Sequence, residues 1–244
     1  MRYMRAMNLR DKIVAIVGGA TGIGKATAEV CAEVGATVIV ADLNEVEGRT
    51  TALAVGGAFF PINVADESSV AAAFTNIAAQ YGRLDALIQT AGILRGAFVP
   101  LEEFDLATFE SVVDVNLIGS FLCAKHAVPL LKKAGKGVIV LVSSGAAIGG
   151  SSSYAYGASK GGVNGLGITL ANKLAADNIR VNVVMPGNID TAMKRSVIAA
   201  ERERLGLGGE QQQLNLGEPA GVGRILAWLA SDDADYVRGM IQTR

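Results

Sequence analysis

At 244 residues, half of them hydrophobic and 18% charged, the chain is long enough for a large buried core and is neither disordered nor fibrous. A formal net charge of −1 leaves no excess of positive charge for nucleic acid or an anionic membrane, so a small-molecule partner is expected. Cys31 and Cys123 have neither metal nor disulfide spacing and read as packing residues, no apolar run approaches the roughly 20 residues of a bilayer span, and residues 1–10 lack a signal-peptide core, so a cytoplasmic protein that neither spans nor binds a membrane is expected.

The first strand, 13–17, runs into Gly18, Gly19, Ala20, Thr21, Gly22, Ile23 and Gly24 and then a helix over 23–34 that stops at Gly35. Glycines between a strand and a helix permit a tight turn and let a pyrophosphate approach the main chain, where the helix N-terminus offers unpaired N–H groups. The second strand, 37–41, ends at Asp42. A carboxylate there can accept hydrogen bonds from both hydroxyls of an adenosine ribose and would repel a 2′-phosphate, and no Arg or Lys stands at 19–21 or at Leu43 to neutralise one. NAD is therefore expected over NADP.

Further on, a helix over 45–54 precedes a strand at 58–62, and Asp66 is the expected N-cap of a helix over 68–81. A strand at 86–89, a long helix over 104–127, a strand at 138–142, a helix over 155–176 and a strand at 181–185 follow. This alternation predicts an α/β fold, a doubly wound, mostly parallel, Rossmann-like sheet with helices on both faces, in a single nucleotide-binding domain over 1–244. Residues 193–216 differ, with charges at 201–204, then glycines and three glutamines, and are expected to form a mobile lid over a ligand.

Tyr156 and Lys160 are four residues apart on one face of the helix over 155–176. A free tyrosine ionises near pH 10, and an adjacent ammonium is expected to lower that value toward the range useful for proton transfer. Tyr154 has no lysine four residues on.

In order along the chain, the turn 18–24, Asp42, Ala91-Gly92, Asn116, Ser143-Ser144, Tyr156-Gly157-Ala158-Ser159-Lys160 and Pro186-Gly187 give a nearly end-to-end likeness. The chain resembles the compact form of the short-chain dehydrogenase/reductase family. The resemblance implies a general acid/base role for Tyr156, with Lys160 lowering its pKa and binding the nicotinamide ribose, Ser144 holding the substrate oxygen and Asn116 anchoring a water toward Lys160. It also implies an NAD site formed by Gly18, Thr21, Gly22, Ile23, Gly24, Asp42, Asn63, Val64, Ala91, Gly92, Tyr156, Lys160, Pro186, Gly187, Ile189 and Thr191, no metal, and a homodimer or homotetramer. Ser144 is preferred to Ser143 because the second serine after a strand end is the one expected to reach the cleft.

The sequence departs from the family pattern at Val17 (usually threonine), at Gln89-Thr90 (usually two asparagines), at Asn63 (usually aspartate) and in its short end after Arg238. The expected activity is hydride transfer between NAD(H) and a small secondary alcohol or ketone, such as a sugar, steroid or hydroxy acid. The alternatives are an NADP-linked 3-oxoacyl thioester reductase and a catalytically silent nucleotide sensor. His126 and Trp228 read as structural.

Overall fold

The computed structural model describes residues 7–207 and 215–243. Residues 208–214 of the expected lid lie outside this range.

Seven strands form one sheet: β1 (Ile13–Val17), β2 (Thr37–Asp42), β3 (Ala58–Pro61), β4 (Ala86–Gln89), β5 (Gly137–Val142), β6 (Ile179–Met185) and β7 (Gly239–Gln242). Their order is β3-β2-β1-β4-β5-β6-β7, and every pairing is parallel. The α/β fold expected from the sequence is therefore present. The strand order reverses beside β1, so the chain leaves β1 and β4 in opposite directions and opens a crevice at their carboxyl ends.

Alternate strand residues feed two cores, as the two-residue period of a strand requires. Ala15, Ile39, Leu87, Ile139 and Val181 face one side, covered by α3 (Glu67–Tyr81), α5 (Gly119–Lys133) and α7 (Tyr154–Leu174). Val14, Ile16, Val40, Ile88 and Val140 face the other, covered by α1 (Gly22–Glu33), α2 (Glu45–Ala54) and α9 (Pro219–Ala230). Cys31 and Cys123 lie buried, one in each core, as free thiols that burial makes hard to ionise. Asp66 caps α3 as expected, accepting the Ser68 N–H.

The long helix expected over 104–127 is composite. α4 (Leu106–Val113) passes through a π-turn at Asp114–Ile118 into α5, which continues through Pro129 to Lys133. Proline is tolerated there because Pro129 faces solvent while Leu130 and Leu131 remain in the core. The resulting run of 28 residues, Leu106–Lys133, is long and apolar enough by length and composition to cross a membrane, contrary to the sequence expectation. Here it packs on the sheet and on α3 and α7.

β6 begins two residues earlier than expected, with Ile179 and Arg180. A charged residue hid the strand start, because nothing in the sequence pairs it: Arg180 is buried and its Nη2 donates to the carbonyls of Leu229 (3.0 Å) and Ser231 (2.9 Å) at the end of α9. The last strand, β7, is a four-residue edge strand.

Candidate active site

The turn after β1 rests on two close approaches. Gly18 has φ +83°, and a Cβ on it would lie 2.4 Å from the Ala91 nitrogen. A Cβ on Gly24 would lie 2.0 Å from the Gly18 carbonyl oxygen. Both glycines are therefore demanded by sterics as well as by any ligand. Thr21 is the N-cap of α1 but makes no side-chain cap, in contrast to Asn44, Asp66, Asp105, Ser153 and Thr191 on other helices. The first N–H groups of α1 are left to face the crevice, where an anion is favoured.

Val17 has no hydroxyl to brace the turn, and Thr90, just after β4, supplies one. Its Oγ1 donates to the carbonyls of Val17 (2.8 Å) and Gly18 (3.1 Å). Thr90→Val deletes this brace without changing shape. It is expected to cost about 1 kcal/mol and lower Tm by about 2–4 °C, with Thr90→Ser near wild type in a thermal melt. Gln89 is buried within the sheet and lines no part of the cleft. The two-residue period of β4 turns its side chain toward the helices.

Asp42 sits at the crevice lip. Its Oδ2 accepts the Ala20 N–H and its Oδ1 the Asn44 N–H, each at 2.9 Å. These bonds fix the carboxylate and leave each oxygen a further acceptor site. The adjacent lining, Thr21, Leu43, Asn44, Ile62, Asn63 and Val64, contains no Lys or Arg.

The crevice has a volume of about 1480 Å³, beyond the usual range of about 300–1,000 Å³ for a single small-ligand pocket. Every residue expected in the dinucleotide site lines it, from Gly18 to Thr191. Open turn, uncapped helix end, carboxylate lip and size together fit a dinucleotide with room for a second molecule.

At the inner end stand Ser144, Tyr156 and Lys160. Ser153 caps α7 by accepting the Tyr156 N–H at 3.3 Å, so the helix start itself aims the tyrosine. Ser144 stands beside the Tyr156 phenol, where it favours the ionised form. Ser143 is turned inward instead, its Oγ donating to the Lys160 carbonyl at 2.8 Å. Of the two serines, Ser144 reaches the phenol.

Burial raises the Tyr156 pKa, and the neighbouring Ser144 opposes that rise. Lys160 is itself buried, its Nζ donating to the Val142 carbonyl at 2.8 Å and lying 5.8 Å from the Tyr156 ring centre, and burial lowers its pKa to about 8.

Asn116 does not line the cleft. It sits in the π-turn with its side chain committed to neighbours: Oδ1 accepts the Ile93 N–H (2.8 Å), and Nδ2 donates to the Ile93 carbonyl (3.0 Å) and to Ser159 Oγ (3.0 Å). It stays close to the lysine, since Asn116 Oδ1 and Lys160 Nζ each lie 3.2 Å from where a Cβ on Gly92 would be.

Tyr154 also lines the cleft, edge-on to Phe104 with ring centres 5.4 Å apart. His126 gains an acidic neighbour that its helix does not provide, Glu67 Oε1 of α3 at 3.2 Å. Sequence reasoning passed over Ser153 as a helix cap and Thr90 as a brace. A serine just before an apolar helix is a readable cap signal for Ser153. No local pattern marks Thr90.

A family model described as enoyl-(acyl carrier protein) reductase matches residues 18–243. Cis-4-hydroxycyclohexanecarboxylate dehydrogenase of Sinomonas cyclohexanicum is 39% identical over 236 residues, 95% of this chain and 94% of that protein. The 3-oxoacyl-[acyl-carrier-protein] reductase of Thermotoga maritima is 37% identical over 252 residues, 96% of each chain. The solved structure of gox2181 superposes with a TM-score of 0.87 at 29% identity, covering 97% of this chain and 95% of that one.

Proposed function

Because the chain belongs to the short-chain dehydrogenase/reductase family and is an oxidoreductase acting on the CH–OH or C=O group of alcohols and ketones, we propose that it uses NAD and takes a small cyclic or branched secondary alcohol. The observation that carries the cofactor choice is Asp42, fixed by two backbone N–H groups at a lip without Lys or Arg. A 2′-phosphate there would meet a carboxylate and no counter-charge. Bound in the crevice, the dinucleotide supplies the hydride acceptor for oxidation or the donor for reduction.

The chain's own residues handle the proton. Tyr156 takes the alcohol proton in oxidation and returns it in reduction, and Ser144 orients the substrate oxygen beside it. Lys160, buried at the cleft floor, holds the nicotinamide ribose and stabilises the phenolate as it forms. Asn116 holds the Ile93 backbone, and its Oδ1, close to Lys160, has a second acceptor site for a water. Met193, Lys194, Val197 and Glu201 of α8 (Ala192–Arg204) line the substrate end of the crevice. The enzyme acts in the cytoplasm as a homodimer or homotetramer, a reading supported by Phe121 and Ile168, exposed on α5 and α7.

The Sinomonas relative supports a cyclic substrate. The Thermotoga relative favours a second reading, an NADP-linked thioester reductase. A panel of secondary alcohols with NAD and with NADP, followed at 340 nm, separates the two. Oxidation with NAD at a kcat/KM at least 10-fold above that with NADP is expected, and Asp42→Ala is expected to narrow the ratio. An NADP preference, or an Asp42→Ala ratio equal to wild type, would remove Asp42 from the argument.

A further inference from the structure

The substrate half of the crevice is walled by apolar side chains, including Ile93, Leu94, Val99 and Met193, and three charged groups stand on it: Arg95, Lys194 and Glu201. Most exposed arginines with a carboxylate in reach use it here, as Arg49 with Glu45, Arg83 with Asp85 and Arg195 with Asp190 do. Arg95 differs. Among the described residues it forms no ion pair, and its guanidinium makes one long hydrogen bond, Nη1 to Ser111 Oγ at 3.3 Å.

The backbone that carries Arg95 is nevertheless locked. Buried Ser153 donates its Oγ to the Arg95 carbonyl at 2.6 Å, and the same oxygen accepts the N–H of Tyr156. One hydroxyl thus ties the position of Arg95 to that of the tyrosine. Gly96, at φ +66°, packs under the Phe104 ring, and Phe98, at φ +63°, donates its N–H to the Ser152 carbonyl at 2.7 Å. A bulky residue in the left-handed region marks a loop held against its own preference, as occurs at ligand sites.

We propose that Arg95 is a receptor for a carboxylate on the substrate, so that this enzyme takes secondary alcohols or ketones bearing a carboxylate a few atoms from the reacting carbon. The planar guanidinium fork matches a carboxylate in two parallel hydrogen bonds, and the locked backbone fixes where the side chain starts. Lys194, without an ion pair among the described residues, adds a second positive charge that draws an anion in. Glu201, two turns from Lys194 on α8, disfavours a dianion and so selects a carboxylate over a phosphate monoester. The proposal rests on the dehydrogenase reading for its reaction but not for its binding step.

The binding step is tested by calorimetry on the protein saturated with NADH, using cyclohexanecarboxylate, cyclohexanecarboxamide and cyclohexyl phosphate. Wild type is expected to bind the carboxylate at least about 10-fold more tightly than the other two. Arg95→Gln should erase the difference at unchanged Tm and NADH affinity, and Arg95→Lys should restore part of it. In turnover with 4-hydroxycyclohexanecarboxylate, Arg95→Gln should raise KM by about 10- to 100-fold with little change in kcat, and leave cyclohexanol oxidation as it was. Equal binding of acid and amide by wild type, or a preference that survives in Arg95→Gln, overturns the assignment. If the acid binds through Arg95 while no alcohol is oxidised, the receptor stands and the dehydrogenase reading falls.

Discussion

Tyr156→Phe is expected to lower kcat for alcohol oxidation by on the order of 10²–10⁴-fold while NADH binding, followed by fluorescence titration, stays within about twofold of wild type. The substitution deletes one hydroxyl and keeps the ring, and the neighbouring Ser144 retains the Ala146 N–H as a donor to its Oγ. The pH profile carries a second signature. Burial raises the Tyr156 pKa, so the basic form needed to accept the alcohol proton is scarce at neutrality and accumulates as pH rises. Wild-type oxidation should therefore climb with pH through the alkaline range, and the residual activity of the phenylalanine variant should lack that climb. A variant that keeps the wild-type rate and profile would show that another group moves the proton.

Gly24→Ala is expected to weaken dinucleotide binding by about 10- to 100-fold and to lower Tm. Alanine in a helix is ordinarily favoured over glycine by roughly 0.5–1 kcal/mol, so propensity alone predicts a gain. Sterics decide otherwise, because the new Cβ would stand 2.0 Å from the Gly18 carbonyl oxygen and 2.6 Å from Thr90 Oγ1, neither of which can retreat. The carbonyl belongs to the turn, and the hydroxyl is its brace. Either α1 or the turn must move, and both form the cradle. Thermal melts and NADH titration measure the two effects; a stabilised variant with unchanged affinity would mean that the turn is more yielding than this geometry implies.

Much of the site was readable before any coordinates, since it sits at strand ends. In a doubly wound sheet, whatever follows a strand arrives at one edge, so Gly18, Asp42, Ala91, Ser144 and Pro186 converge although they are far apart in sequence. Helical period placed Tyr156 and Lys160 on one face for the same reason. What escaped was set by contacts between elements. Gln89 and Thr90 are adjacent and both polar, yet one is sealed in the sheet as the last residue of β4 and the other, just beyond the strand, braces the turn. Arg180 hid a strand start, its partners being helix-end carbonyls some fifty residues on.

The amino-acid order by itself determined the α/β architecture, the position of the crevice and the family, because these follow from local periodicity and from residue types at strand ends. The tertiary structure decided the rest: which serine meets Tyr156, that burial raises the tyrosine's pKa, that Asn116 serves Ile93, and that Arg95 forms no ion pair among the described residues. Each of these depends on desolvation or on a hydrogen bond between distant segments. Such quantities exist only once the chain has closed on itself.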